Sequence, residues 1–310
     1  MARQSYSLDG AVLGQQADFT TEAVSYNLTE FGWISSVEIV IERDVNQFKG
    51  VKGGTSGHLI NRNLQLLTRV TGTMTFSPTD LVFLKYGPGN YSDDGTDYTV
   101  ASQGTIPAYL SLKGNYDGTK AIKLKGLAFG QMTVRMSQGN VMEVTAPFVA
   151  QTVETITESI EYTQPSVDPL TYIDGSLAYN SNNLLINDAT VTMDLKALPK
   201  RNFENVAAGS KYYISSITRT GFICSFSGNA DIEDAASEIE DFLGGTNGNT
   251  VKADFNIVLT FVDDASETHT LTISGCKDTR FRKTLTGDVD NVKNYEVETV
   301  SIDVAAAGKV

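Results

Sequence analysis

The chain reads as an all-β protein made of two tandem β-sandwich or barrel units, each with one short flanking helix. Three observations predict this. Segments that alternate apolar and polar residues recur along the chain, the signature of half-buried strands. Each half offers a single stretch with helical start and stop signals. A set of landmarks recurs in the same order in both halves, with spacings that drift by only several residues, which marks an internal repeat.

The landmarks run as follows. Near each start an aliphatic residue precedes Asp-Gly, at Leu8-Asp9-Gly10 and Ile173-Asp174-Gly175. Alternating strands come next, VEIVIE from Val37 and VTMDLK from Val191, each followed by Phe-x-x-Val, at Phe48 to Val51 and Phe203 to Val206. Thr68 to Pro78 then reads TRVTGTMTFSP and Thr218 to Gly228 reads TRTGFICSFSG, both with Thr-Arg, a Gly and a strand ending in Phe-Ser. Three residues separate Gly72 from Phe76 but four separate Gly221 from Phe226. That slip predicts a bulge or a longer turn in one half only.

The helices follow. Ser77 is an N-cap candidate with Pro78 at the first helical position, and Leu81, Val82 and Leu84 lead to Gly87 as a stop. In the second half, DIEDAASEIEDFLGG from Asp231 places Ile232, Ala235, Ala236, Ile239, Phe242 and Leu243 on one stripe that ends at Gly244. Hairpins come after them, about Asp117-Gly118 and about Asp263-Asp264, and Gly126 and Gly275 close the two. Each half finishes on a strand with Glu-Val, at Glu143-Val144 and Glu296-Val297. Between the copies, Glu161 to Pro169 carries Pro165 and Pro169, which suits a short extended linker. The expected organisation is a first unit over 1–160, a linker over 161–169 and a second unit over 170–310.

Composition narrows the function. With 310 residues, 41% hydrophobic and 20% charged, each half can bury a core. No apolar run of signal-peptide length opens the chain and no run of 18 uncharged apolar residues occurs, so neither secretion nor a membrane span is expected. Cys224 and Cys276 are too few for a disulfide scaffold and lack zinc-site spacing, so both read as idle thiols. The net charge is −13; residues 1–165 hold 12 basic and 16 acidic side chains of the total 24 and 37, leaving 12 and 21 for 166–310. Such a surface repels nucleic acid, whose binding depends on cation contacts to phosphate. That charge serves solubility, or it lets DNA slide past without sticking.

Catalytic signatures are missing from the pattern. His58 and His269 are the only histidines, neither lies in a HExxH or GxSxG context, and both read as solvent-facing. No carboxylate pair is singled out for glycoside cleavage. We therefore expect no enzyme and no cofactor. Ser92 to Tyr98, SDDGTDY, lacks the spacing of a calcium loop and reads as an acidic turn. Asn27 and Asn90 fit the glycosylation pattern at its chance rate.

The glycine-rich, basic stretch from Phe48 to Asn63 is not a phosphate loop, because Gly57 leads into His58-Leu59-Ile60 rather than Lys-Ser/Thr and a helix. It carries Lys49, Lys52, His58 and Arg62 with no carboxylate. It is expected to be an arm that orders against an acidic face of a neighbouring subunit, or else a flexible hairpin tip with no partner. The counterpart in the second half, FENVAAGSKYY from Phe203, is shorter.

The unit defined by these landmarks resembles the tail tube proteins of tailed phages and related viruses. The resemblance covers nearly the whole chain, twice, and rests on order, length and texture rather than an invariant motif. It implies two tail-tube-type domains that give strands to a closed inner barrel around a lumen, with the helix on the flank. It also implies rings, built as three two-unit chains with pseudo-sixfold symmetry, that stack head to tail as a conduit for genome DNA. Lys49, Lys52, His58 and Arg62 would then contact the next ring, and part of the carboxylate excess would line the lumen. Implied partners are the chain itself and the tape measure, tail terminator and baseplate proteins, with DNA passing unbound and no membrane involved. The implied location is the virion tail, assembled in the host cytoplasm. The alternatives are a tail-end or baseplate component that forms a single ring, and a carbohydrate-binding pair of β-sandwiches. The second needs exposed aromatics on one face, whereas the sole Trp33 is expected to be packed.

Overall fold

A computed structural model describes residues 2–8, 10–50, 59–87, 89–93, 97–102, 106, 108–117, 119–137, 139–163, 165–171, 175–179, 182–184, 186–200, 213–231, 255–263, 266–284, 292–299 and 301–307. Among them the fold is all-β. The first half contains β1 (Ala2–Leu8), β2 (Gly10–Gln15), β3 (Trp33–Gly50), β4 (Leu59–Ser77), β5 (Gly89–Asp93), β6 (Asp97–Ser102), β7 (Leu110–Asp117), β8 (Lys120–Phe129), β9 (Gln131–Ser137), β10 (Glu143–Ala150) and β11 (Thr152–Ile156). The second half contains β12 (Gly175–Tyr179), β13 (Asn182–Leu184), β14 (Ile186–Asp194), β15 (Ala197–Lys200), β16 (Ser216–Arg219), β17 (Ile223–Asp231), β18 (Phe255–Val262), β19 (Thr268–Thr284), β20 (Val292–Thr299) and β21 (Ser301–Ala307).

One antiparallel sheet runs through both halves in the order β1, β3, β4, β10, β9, β14, β17, β20 and the C-terminal part of β19. The seam between the halves is the β9–β14 pair, from Asp188 opposite Ser137 to Asp194 opposite Gln131. Two smaller layers cover this sheet. In the first half they are β2, β7, β8 and β11; in the second, β13, β12, β18, the N-terminal part of β19, and β21. A second seam joins the halves there, because β6 of the first half pairs with β21. The passage from β11 to β12 is docked rather than dangling. Trp33 is half-buried and its indole N–H donates to the Val167 carbonyl (3.0 Å), the Tyr162 hydroxyl donates to the Gly32 carbonyl (2.8 Å), and Asn115 bonds both backbone groups of Ile160.

Period-two patterning builds these layers. Along β10 burial alternates strictly, with Val144, Ala146, Phe148 and Ala150 inward, and β9 does the same with Met132, Val134 and Met136. The inward side chains form a single core with Phe31, Phe76, Phe83 and Phe129. Phe31 meets Phe76 edge-on at 5.2 Å and stacks on Tyr86 at 5.2 Å, and Phe76 meets Phe83 at 5.3 Å. Each such pair adds about 1 kcal/mol beyond its buried area.

The expected helix after Pro78 is smaller than its signals suggest. Val82–Tyr86 is a five-residue 3-10 turn, and Asp80, not Ser77, accepts the N–H of Val82 at 2.8 Å. Its side chains Val82, Phe83, Leu84 and Tyr86 are all buried, which leaves no solvent face for an amphipathic helix to grow along. Gly87 does close it, donating to Leu84. The helical stretch expected after Asp231 lies outside the described residues.

Candidate assembly surface

The continuous sheet has one apolar and one polar face. Its outward positions include Thr71, Thr73 and Thr75 on β4, Thr133 on β9, Thr145 on β10, Thr190 and Thr192 on β14, and Ser225 and Ser227 on β17. Threonine combines a β-branched stem that favours strands with a polar tip. Within β3, β4, β9, β10 and β14 the charge on that face comes from Glu38, Glu42, Glu143, Asp188 and Asp194, against Arg69 and Arg135. Arg69 stands opposite Glu42 and Arg135 opposite Glu143. Across these five strands the surface is hydroxyl-rich and its charge is net negative. At its centre Glu38, Val40, Thr71, Thr73, Pro147 and Val149 line a shallow depression. Gly72 is required beneath it, because a Cβ there would lie 2.3 Å from both the Glu38 carbonyl and the Phe148 ring.

The two halves share irregularities at matching places. β3 slips in register against β4 between Ile34 and Ser36, and β14 slips against β17 between Ile186 and Asp188. β7 slips against β8 between Leu110 and Leu112, and β18 against β19 between Phe255 and Ile257. Gly126 and Gly275 both take positive φ, at 63° and 67°. β8 crosses to β10 through Phe129 opposite Phe148, as β19 crosses to β20 through Asp278 opposite Val297. Because bulges fix register, they align Phe76 with Ala230.

This corrects the repeated Thr-Arg stretch. Thr218 and Arg219 lie on β16, which pairs with β15 in a separate two-stranded sheet, and Gly221 precedes β17. The extra residue between Gly221 and Phe226 falls where the chain passes from β16 to β17, not in a bulge of β17. The Phe-Ser and Glu-Val landmarks do pair in each half, as Phe76 with Val144 and Phe226 with Val297. They share a level on the sheet rather than an equivalent place in each copy. The row runs Phe76, Val144, Val134, Val191, Phe226, so Ala230 stands four residues beyond the level of Phe76. A stagger of four residues over four strand steps corresponds to a strand tilt of about 35°, within the range of closed barrels.

Among the described residues the sheet ends on β1 at one side and on the C-terminal part of β19 at the other. Beyond the sheet, β3 and β4 continue as a long hairpin in which Phe48 pairs with Arg62 and Lys49 with Ile60. Lys49 and Arg62 are thus strand residues; residues 51–58, with Lys52 and His58, lie outside the described residues. In the second half the chain instead kinks at Lys196 (φ 45°). The β15–β16 hairpin then lies against the first half, where the Tyr109 hydroxyl donates to the Ile217 carbonyl (3.2 Å) and Arg219 Nη1 donates to the Gly87 carbonyl (3.1 Å).

His269 is not solvent-facing. It is fully buried at the β18–β19 hairpin, with Nε2 3.0 Å from Asp263 Oδ2, while Asp263 Oδ1 accepts the Glu267 N–H at 2.9 Å. An imidazole fits there because the turn supplies its polar partner. Spacing did signal it, since His269 lies on the inward period of β19 with Leu271 and Ile273. Asp80, from the first half, is 5% exposed and burial pushes its carboxyl up to about 6; the Val82 N–H and the nearness of His269 and Lys85 work against this, and Glu30 adds to it. Cys224 and Cys276 are free, buried thiols; burial raises the Cys224 thiol, and the nearby Cys276 adds to the rise. Of the stretch expected as an acidic turn, Ser92 and Asp93 belong to β5 and Asp97 and Tyr98 to β6, with Asp93 opposite Tyr98; residues 94–96 lie outside the described residues. Among the described residues no cluster of three His, Cys, Asp or Glu side chains could hold a metal, and no helix is long and apolar enough to cross a membrane. No protein-family model matches the chain, and no curated protein matches it.

Proposed function

We propose that the protein is a self-assembling structural component of a virion, the tube of a viral tail, whose rings stack into a conduit for genome DNA. The observation that carries this reading is the continuous sheet. Eight of its strands, β3, β4, β10, β9, β14, β17, β20 and β19, come as two runs of four with the same pairing order and the same bulge between the first two strands of each run. We infer a duplicated unit from that match. Three copies would supply about 24 strands, and at a tilt of about 35° the backbone barrel would be about 45 Å across. Such a lumen has room for a nucleic-acid duplex.

The polar face supports the same reading. Threonine and serine hydroxyls with excess carboxylate would wet the wall and offer phosphates few cations, so DNA would pass without being retained. Closing the sheet would also remove both of its open edges, which otherwise invite uncontrolled pairing. The purified chain at increasing concentration, followed by native mass spectrometry and negative-stain microscopy, tests this. The proposal expects trimers that appear as rings and then stack. A monomer that persists at every concentration would reject it.

A further inference from the structure

Resting on the ring reading, we propose that β1 is a guard strand that holds the place of a second copy's β19 and leaves when the ring closes. β1 lies antiparallel on β3, from Ala2 opposite Arg43 to Leu8 opposite Val37. The shared bulge aligns β3 residue 36 with β14 residue 188, so the segment of β3 that β1 covers corresponds to 189–195 of β14. In β14 that same edge is filled by β9, over 188–194. The β8–β9 and β10–β11 region corresponds to β19, β20 and β21 residue for residue, because Phe148 opposite Phe129 recurs as Val297 opposite Asp278, and Thr152 opposite Lys125 as Ser301 opposite Ser274. The counterpart of β9 is therefore the end of β19. Transferring the β9–β14 register sets Arg280 of one copy opposite Glu42 of the next, and Arg282 opposite Val40.

Charge agrees with the exchange. β1 places Arg3 opposite Glu42, the position that Arg280 would take. The end of β19 carries Arg280, Arg282 and Lys283 within four residues, and β3 offers Glu38 and Glu42. Among the described residues β1 has no counterpart in the second half, where Val167 and Thr171 belong to the docked passage and β9 already fills the edge. A guard strand of this kind keeps a free subunit from pairing its edge at random. Release of β1 then couples removal of the guard to arrival of the correct partner.

Two engineered disulfides test it in the full chain, whose native cysteines are buried and free. Ser5→Cys with Val40→Cys pins β1 to its own β3; Val40→Cys with Arg282→Cys joins neighbouring copies at the proposed seam. Oxidised Ser5→Cys/Val40→Cys protein should stay folded by circular dichroism but lose ring formation, and reduction should restore it. Oxidised Val40→Cys/Arg282→Cys rings should run as dimers and trimers on a non-reducing gel. Rings that form with the Ser5→Cys/Val40→Cys bond intact, or no cross-link at the second pair, would overturn the exchange while leaving the tube reading in place. Failure of the unmodified chain to form rings would overturn both.

Discussion

At the scale of single residues, the backbone and buried charge make separable predictions. Gly126 takes a φ of 63°, and an added Cβ would lie 2.7 Å from Gln151 Cβ and 2.8 Å from the Phe19 ring. Gly126→Ala should therefore cost roughly 2–3 kcal/mol, since the left-handed backbone alone costs about 1. Gly130→Ala, whose Cβ would meet only the Pro147 carbonyl at 3.9 Å, should cost far less. Urea unfolding of the two variants reads the contrast, and equal losses would contradict it. Asp80 predicts a pH dependence. Because burial raises its carboxyl to about 6, the folded chain keeps a proton between about pH 4 and 6 that the unfolded chain releases. Its contribution to stability therefore falls as pH rises through that window and is flat above it. Asp80→Asn, which keeps an acceptor for the Val82 N–H, should match the parent near pH 4 and exceed it by on the order of 2 kcal/mol at pH 7. A difference that does not change with pH would refute this.

At the scale of elements, the hairpins were the most legible part of the sequence. Asp117 pairs with Lys120 across a tight turn and Val262 with Thr268 across a longer one, where the Asp-Gly and Asp-Asp signals stand. Alternation and turn chemistry are local properties, so they can be read residue by residue. What misled was the level of tertiary equivalence. A sheared sheet moves matching positions by several residues between the two halves, so Phe76 and Phe226 look equivalent while the bulges align Phe76 with Ala230. The burial of His269 was hidden by its polarity, although its place between Leu271 and the turn at Asp263 was available to a strict count of period two. The long β3–β4 hairpin refines the proposed arm. Replacing 51–58 with an Asn-Gly turn should preserve the strands that reach Gly50 and Leu59. Such a variant should still form rings by native mass spectrometry but not stack them; normal stacking would remove the arm from the account.

At the scale of the whole molecule, the all-β class was visible in sequence, while the polar face was not. A list of 37 acidic residues does not say which of them share a surface; only the pairing of β3, β4, β10, β9 and β14 gathers Glu38, Glu143 and Asp188 on one side. Reversing Glu143, Asp188 and Asp194, which lie away from the proposed seam between copies, to Lys should leave ring assembly intact and make rings bind duplex DNA, with an affinity that falls steeply as salt is raised. Rings that still ignore DNA at low salt would assign this charge to solubility alone. The proposed tube requires that the sheet running through both halves close between copies. The most direct measurement is a cryo-electron microscopy map of the assembled protein at a resolution that separates strands. A tube built as proposed would show a closed inner barrel of about 24 strands and about 45 Å in diameter, with β9 beside β14 within each chain and β19 beside the β3 of the next. A map in which β9 and β14 part, or in which this sheet faces outward, would contradict it.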